Sequence, residues 1–129
     1  MIAPEGYERL GEVFELAIEQ AAKGKGRKRH SNGEPFDKQQ ICWIPKQQGS
    51  VDFCTGQAVK KCLEINRLIG ISSRIDELLG AINYIAAAII VLQDQQAEYD
   101  KFKDSKKEAE EKYPLPEIIN IEPRIYRRP

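Results

Sequence analysis

Five cations and no acid fall within seven residues between Lys23 and Arg29, in the run Lys23-Gly-Lys-Gly-Arg-Lys-Arg-His30. Gly24 and Gly26 let the backbone turn so that its amides face an anion. Lysine supplies a point charge there, and arginine adds a planar fork matched to phosphate oxygens. Lys25, Arg27, Lys28 and Arg29 are therefore candidate contacts for a phosphate-bearing ligand, with His30 and Asn32 as further donors. The run is not a Walker A loop. It also lacks the third glycine of a dinucleotide fingerprint and follows a helix rather than a strand. Two other readings stay open, a solvated turn complementing a helix C-terminus and a nucleic-acid contact. The second is weakened because no aromatic interleaves the cations, Phe36 being the nearest. Arg124, Arg127 and Arg128 form a second basic cluster, with Tyr126 available to stack on a base.

Catalytic constellations are sparse. Glu12-Val-Phe-Glu15 has the first carboxylate spacing of the all-helical, magnesium-dependent nucleotide pyrophosphohydrolases, but no later E-x-x-D pair follows it. His30 is the single histidine, and no Ser, Cys or Asp is placed by sequence to complete a nucleophilic pair. No metal site is expected, because His and Cys do not recur at ligand spacing, and no cofactor is expected either. Asn83 and Tyr84 interrupt an apolar run. A buried amide needs a partner, so they count as secondary candidate ligand residues, with a structural role the commoner outcome. Trp43, between Cys42 and Ile44, is expected to anchor the core.

These residues must be held by helices. Leu10, Val13, Phe14, Ala17, Ile18 and Ala21 recur at steps of three and four, which predicts a helix over Pro4–Lys23 with that face buried. The cluster Ile41-Cys42-Trp43-Ile44 predicts a short helix stopped by Pro45. Val51, Cys54, Ala58, Cys62, Ile65 and Ile69 predict a third helix, entered through Ser50 and halted by Gly70. Ser73-Arg-Ile-Asp76 resembles a capping box for a last helix. That helix is apolar nearly all round from Leu78 to Leu92, so burial on several sides is expected, and Ala86-Ala87-Ala88 leaves room for a close neighbour. The apolar run is about 15 residues, short of the roughly 20 of a membrane span. Mixed charges from Glu98 to Lys112 extend the helix as a solvated stretch.

The fold class expected is all-α, a small helical domain of three main helices plus a short helix over residues 1–112. An irregular, Pro-rich basic tail follows over residues 113–129, with Ile118–Ile121 as one possible short strand. The chain has 129 residues and zero net charge, so electrostatic bias toward nucleic acid or membrane must be local. Cys42, Cys54 and Cys62 lack C-x-x-C spacing and fit a reducing compartment as apolar fillers, which with the polar N-terminus gives a cytoplasmic expectation. The apolar helix and its alanine face give the expectation of a homo-oligomer.

Laid in order, Gly24-Lys-Gly-Arg-Lys-Arg-His30, Glu34-Pro-Phe36 with Gln40, Gly56-Gln-Ala-Val-Lys-Lys61 and Glu77-Leu-Leu-Gly-Ala-Ile-Asn-Tyr84 resemble small uncharacterised proteins encoded by bacteriophages and prophages. The resemblance covers about residues 20–95. It implies a host-cell cytoplasmic setting, in which such proteins bind host proteins or sequester nucleotide signals. The order of helix, basic loop, Pro-Phe segment and apolar helix is also similar to phage dATP/dGTP diphosphohydrolase-like proteins, although the second carboxylate pair is absent. The leading expectation is a non-enzymatic binder of a phosphate-bearing ligand, a nucleotide or nucleotide signal. The alternatives are a module or inhibitor acting on a host protein, a nucleic-acid binder, and an all-α nucleotide pyrophosphohydrolase.

Overall fold

A computed structural model describes residues 3–24 and 33–114 and is all-α, with no strand among the described residues. Its helices are α1 (Glu8–Lys23), α2 (Gln40–Gln48), α3 (Asp52–Glu64) and α4 (Ile71–Lys112), with single 3-10 turns at Phe36–Lys38 and Ile65–Arg67. The expected strand at Ile118–Ile121 lies outside the described residues. The chain divides into two compact units, Met1–Gln95 and Gln96–Pro129.

Helix α1 starts at Glu8, four residues later than Pro4. The Tyr7 amide closes a turn onto the Pro4 carbonyl at 3.0 Å, and Gly6 sits at φ +87°, which breaks helical continuity there. At the other end the Gly24 amide donates to the Gln20 carbonyl at 2.9 Å. A Cβ at position 24 would lie 2.9 Å from that same oxygen, so the close turn-off requires glycine.

Helix α2 runs through Pro45 instead of ending before it. Proline has no N–H to give to the Ile41 carbonyl, and the Cys54 thiol of α3 donates to that carbonyl instead, at 3.5 Å. The lost intrahelical bond thus becomes a contact between helices. Gly49, left-handed at φ +67°, ends α2, and the Ser50 hydroxyl accepts from the Asp52 amide at the entry to α3.

Helix α3 stops at Glu64, before the expected Ile69. The chain tightens to a 3-10 turn and leaves through an extended Leu68, so Ile69 is fully exposed. Helix α4 then begins at Ile71, ahead of Ser73, and the Arg74 amide donates to the Gly70 carbonyl.

The core of the first unit joins α2, α3 and α4. It holds Ile41, Cys42, Cys54, Ala58, Ala81, Tyr84, Ala87, Ala88 and Val91, flanked by Phe36, Val51, Phe53 and Ile90. Three expectations about burial fail. Trp43 is exposed because the α2 face turned to α3 is that of Ile41, Cys42 and Pro45. Cys62 is exposed, one turn past the last α3 residue in the core. Of the expected α1 face only Ala17 is buried, and Leu10, Val13, Phe14 and Ile18 are exposed.

Leu78–Leu92 is buried on several sides as expected, tied to α1 at Asn83 and packed into the core through Ala81, Tyr84, Ala87, Ala88 and Val91. One stripe is left out, where Leu78, Ile85, Ile89 and Leu92 stay about half exposed. Contrary to the count from the apolar run, α4 is long and apolar enough, by length and composition, to cross a membrane, although 39% of that stretch is buried inside the protein. In the second unit, residues 96–112 of α4 are exposed throughout, and Gln96 donates to the Asp100 carboxylate at 2.9 Å.

Candidate functional site

The C-terminal end of α1, the middle of α4 and the segment 33–39 line an apolar groove of about 660 Å³. Ile18, Ala21 and Ala22 of α1 form one wall, Asn83, Ala86 and Ile90 of α4 the opposite one, and Gly33–Phe36 with Gln39 the rim. The groove exists because α1 packs on α4 through small residues and polar ties. Asn83 Nδ2 donates to the Ala17 carbonyl at 3.0 Å and to Gln20 Oε1 at 3.4 Å, and Gln20 Nε2 donates to the Asp76 carbonyl at 2.8 Å. Alanine at 21, 22 and 86 then leaves the space that larger side chains would fill.

The polar chemistry of the groove is one-sided. Gln39 is the single polar residue among the fully buried ones described, and its Nε2 donates to the Glu34 carbonyl at 2.8 Å. Carbonyl oxygens only accept, so both amide nitrogens are oriented by their partners; Asn83 spends both of its N–H groups within the protein and Gln39 one of its two. No donor among the described residues reaches Asn83 Oδ1 or Gln39 Oε1. The groove therefore presents two amide oxygens on otherwise mostly apolar walls, with Glu34 at the rim.

Of the sequence candidates, Lys25, Arg27, Lys28, Arg29, His30 and Asn32 lie outside the described residues, as do Arg124, Arg127 and Arg128. The basic segment is joined at its two ends to Gly24 and Gly33, and Gly33 lines the groove. Asn83 lies in the groove wall. Tyr84, about 100° further round the helix, points instead into the core, where Phe53 meets its ring edge-on at 6.0 Å and Lys61 Nζ sits 5.9 Å from its centroid. Asn83 and Tyr84 thus belong to different surfaces. The sequence does not mark Gln39, Glu34, Ile18 or Ile90 as site residues, since contacts across α1, the rim and α4 leave no local signature.

Outside the groove, Lys61 pairs with Glu77 at 3.5 Å with both side chains largely buried, and the Lys61 stem crosses Gly80. Burial pushes the Cys42 thiol up to about 11, partly offset by the Lys46 charge, and burial raises Cys54 as well. Lys46 is raised chiefly by its hydrogen bond to Asp94, at 2.8 Å. Among the described residues no group of three His, Cys, Asp or Glu side chains is placed to hold a metal ion.

No protein-family model matches the chain, and no curated protein or solved structure shows significant similarity to it.

Proposed function

We propose that this protein is a non-enzymatic binding protein for a nucleotide or related phosphate-bearing ligand, of the kind carried by phages to sequester host nucleotide signals. The base occupies the α1–α4 groove, and the phosphate meets Lys25, Arg27, Lys28, Arg29 and His30. One observation carries this reading: an apolar groove with two amide oxygens that accept from no described protein donor has, as part of its lining, the glycine at which the basic segment ends. Apolar walls suit the faces of a heterocycle, while those amide oxygens can accept from N–H donors such as the amino group of adenine, guanine or cytosine. Among the described residues, the groove lining contains no His, Cys, Ser or Lys and a single acidic residue, Glu34, a composition suited to binding.

Calorimetry of the full chain at low salt tests it, using nucleoside monophosphates and cyclic dinucleotides. Binding should weaken at least tenfold at about 0.5 M salt, since charge-assisted phosphate contacts between exposed groups are screened over a few ångströms there. Arg27→Ala and Arg29→Ala should weaken it comparably. Absence of heat with every nucleotide at low salt would sink the proposal.

A further inference from the structure

The exposed face of α4 carries a pattern that the monomer does not use. Ile71, Ile75, Leu78, Ile82, Ile85, Ile89 and Leu92 follow one another at alternating steps of four and three without a break. Six of them are between 43% and 75% exposed, and Ile82 is half-buried. This is the seam of a heptad repeat, with isoleucine at every a position and leucine or isoleucine at d. The residues that pack inside the protein, Leu79, Gly80, Ala81, Tyr84, Ala87, Ala88 and Val91, occupy another side of the same helix.

We propose that this seam is the interface with a second copy of the chain, making the protein a homodimer through α4. The area is sufficient. Such half-exposed side chains leave on the order of 90 Å² each, hence roughly 600 Å² per protomer and about 1,200 Å² for the pair, at the lower edge of specific, stable interfaces. The seam is uncharged over its whole length, so it offers nothing to a polar partner and no like-charge repulsion against itself. It ends where function as a seam would end, since the next position in the register, Gln96, is polar. Isoleucine at a with leucine at two of the four d positions, Leu78 and Leu92, is compatible with a two-stranded seam. An apolar stripe of roughly 600 Å² stands at the upper end of what monomeric proteins expose, and patches of that size commonly mark interaction sites.

The test is sedimentation equilibrium of the full chain at about 20 μM, beside the double variant Ile85→Glu/Ile89→Glu. Both positions are about half exposed, so the variant keeps its fold, which circular dichroism and the thermal transition verify. Wild type should sediment at twice the 14.7 kDa chain mass, and the variant at that mass. A wild-type monomer, or a dimer that survives both substitutions, would overturn the proposal. Flotation with uncharged phosphatidylcholine vesicles supplies the other arm. Wild-type protein that floats with the lipid and is monomeric in buffer would assign the stripe to a membrane surface and equally overturn it.

Discussion

Two sides of one helix divide the chemistry of α4. The side packed inward is built from four small residues, Gly80, Ala81, Ala87 and Ala88, with Leu79, Tyr84 and Val91 as its large ones. The side left exposed is built from seven isoleucines and leucines in heptad register. Hydrophobicity alone would place the larger side chains inside. Packing inverts that order, because short helices can approach α4 closely only where its surface is smooth, and dense contact rather than side-chain size decides the intramolecular core. The bulky face then remains for a neighbour.

Breaking this contrast should show first in stability. In an Ile89→Glu background, where self-association is removed, Tyr84→Ala should cost about 3–5 kcal/mol by urea denaturation, the range for emptying a buried aromatic site. The adjacent Ile85→Ala should cost only about 1 kcal/mol, because half of its surface already faces water. Equal losses would erase the distinction between the two faces.

Overfilling provides the next test. Ala87 is completely buried, so Ala87→Leu should destabilise the chain by about 1–3 kcal/mol. Ile89→Leu, two residues on but on the exposed side, should leave the monomer within about 0.5 kcal/mol of wild type.

Gly80 sharpens the contrast at smaller scale. An added Cβ would come 3.0 Å from Lys61 Cε, so Gly80→Ala displaces the lysine stem from Glu77 and forfeits most of the gain in helix propensity. With Lys61 shortened to alanine, the same substitution should stabilise by about 0.5–1 kcal/mol in thermal unfolding, the propensity difference alone. A gain of the same size in both backgrounds would show that Lys61 does not constrain this site.

The thiols give the smallest effect near neutral pH. Cys62 is exposed and should react with a disulfide reagent in the native protein, whereas Cys42 and Cys54 should wait for denaturant. Burial raises both buried thiols, so their contribution is fully present below the unfolded thiol range. It is lost as pH rises through the folded value, about 11 for Cys42. Stability measured by urea should accordingly be insensitive to thiol ionisation at pH 7 and decline between about pH 9 and about pH 11.

The sequence made the all-α class legible, and the reason is periodicity: Leu10 to Ala21 and Val51 to Ala58 repeat at helical steps whatever they pack against. It did not reveal burial. Ile18 and Ile69 lie on predicted inner faces yet are exposed, because periodicity marks an apolar side without naming its partner. Pro45 misled for a similar reason, since the Cys54 thiol that accommodates the proline stands nine residues away in another helix. Asn83 was legible as a polar interruption, whereas Gln39 and the small residues opposite it became a groove only when α1 met α4. The basic segment was visible in composition alone.

The central claim is that one ligand engages both the groove and the basic segment. A nuclear magnetic resonance titration of the full chain with a purine nucleotide tests it most directly, following the Ile18 and Ile90 methyls, the Asn83 side-chain amide, and Arg27 and Arg29. All of these signals should shift and saturate along a single binding curve. Shifts confined to the arginines, unsaturated and removed by salt, with the groove signals unmoved, would contradict it.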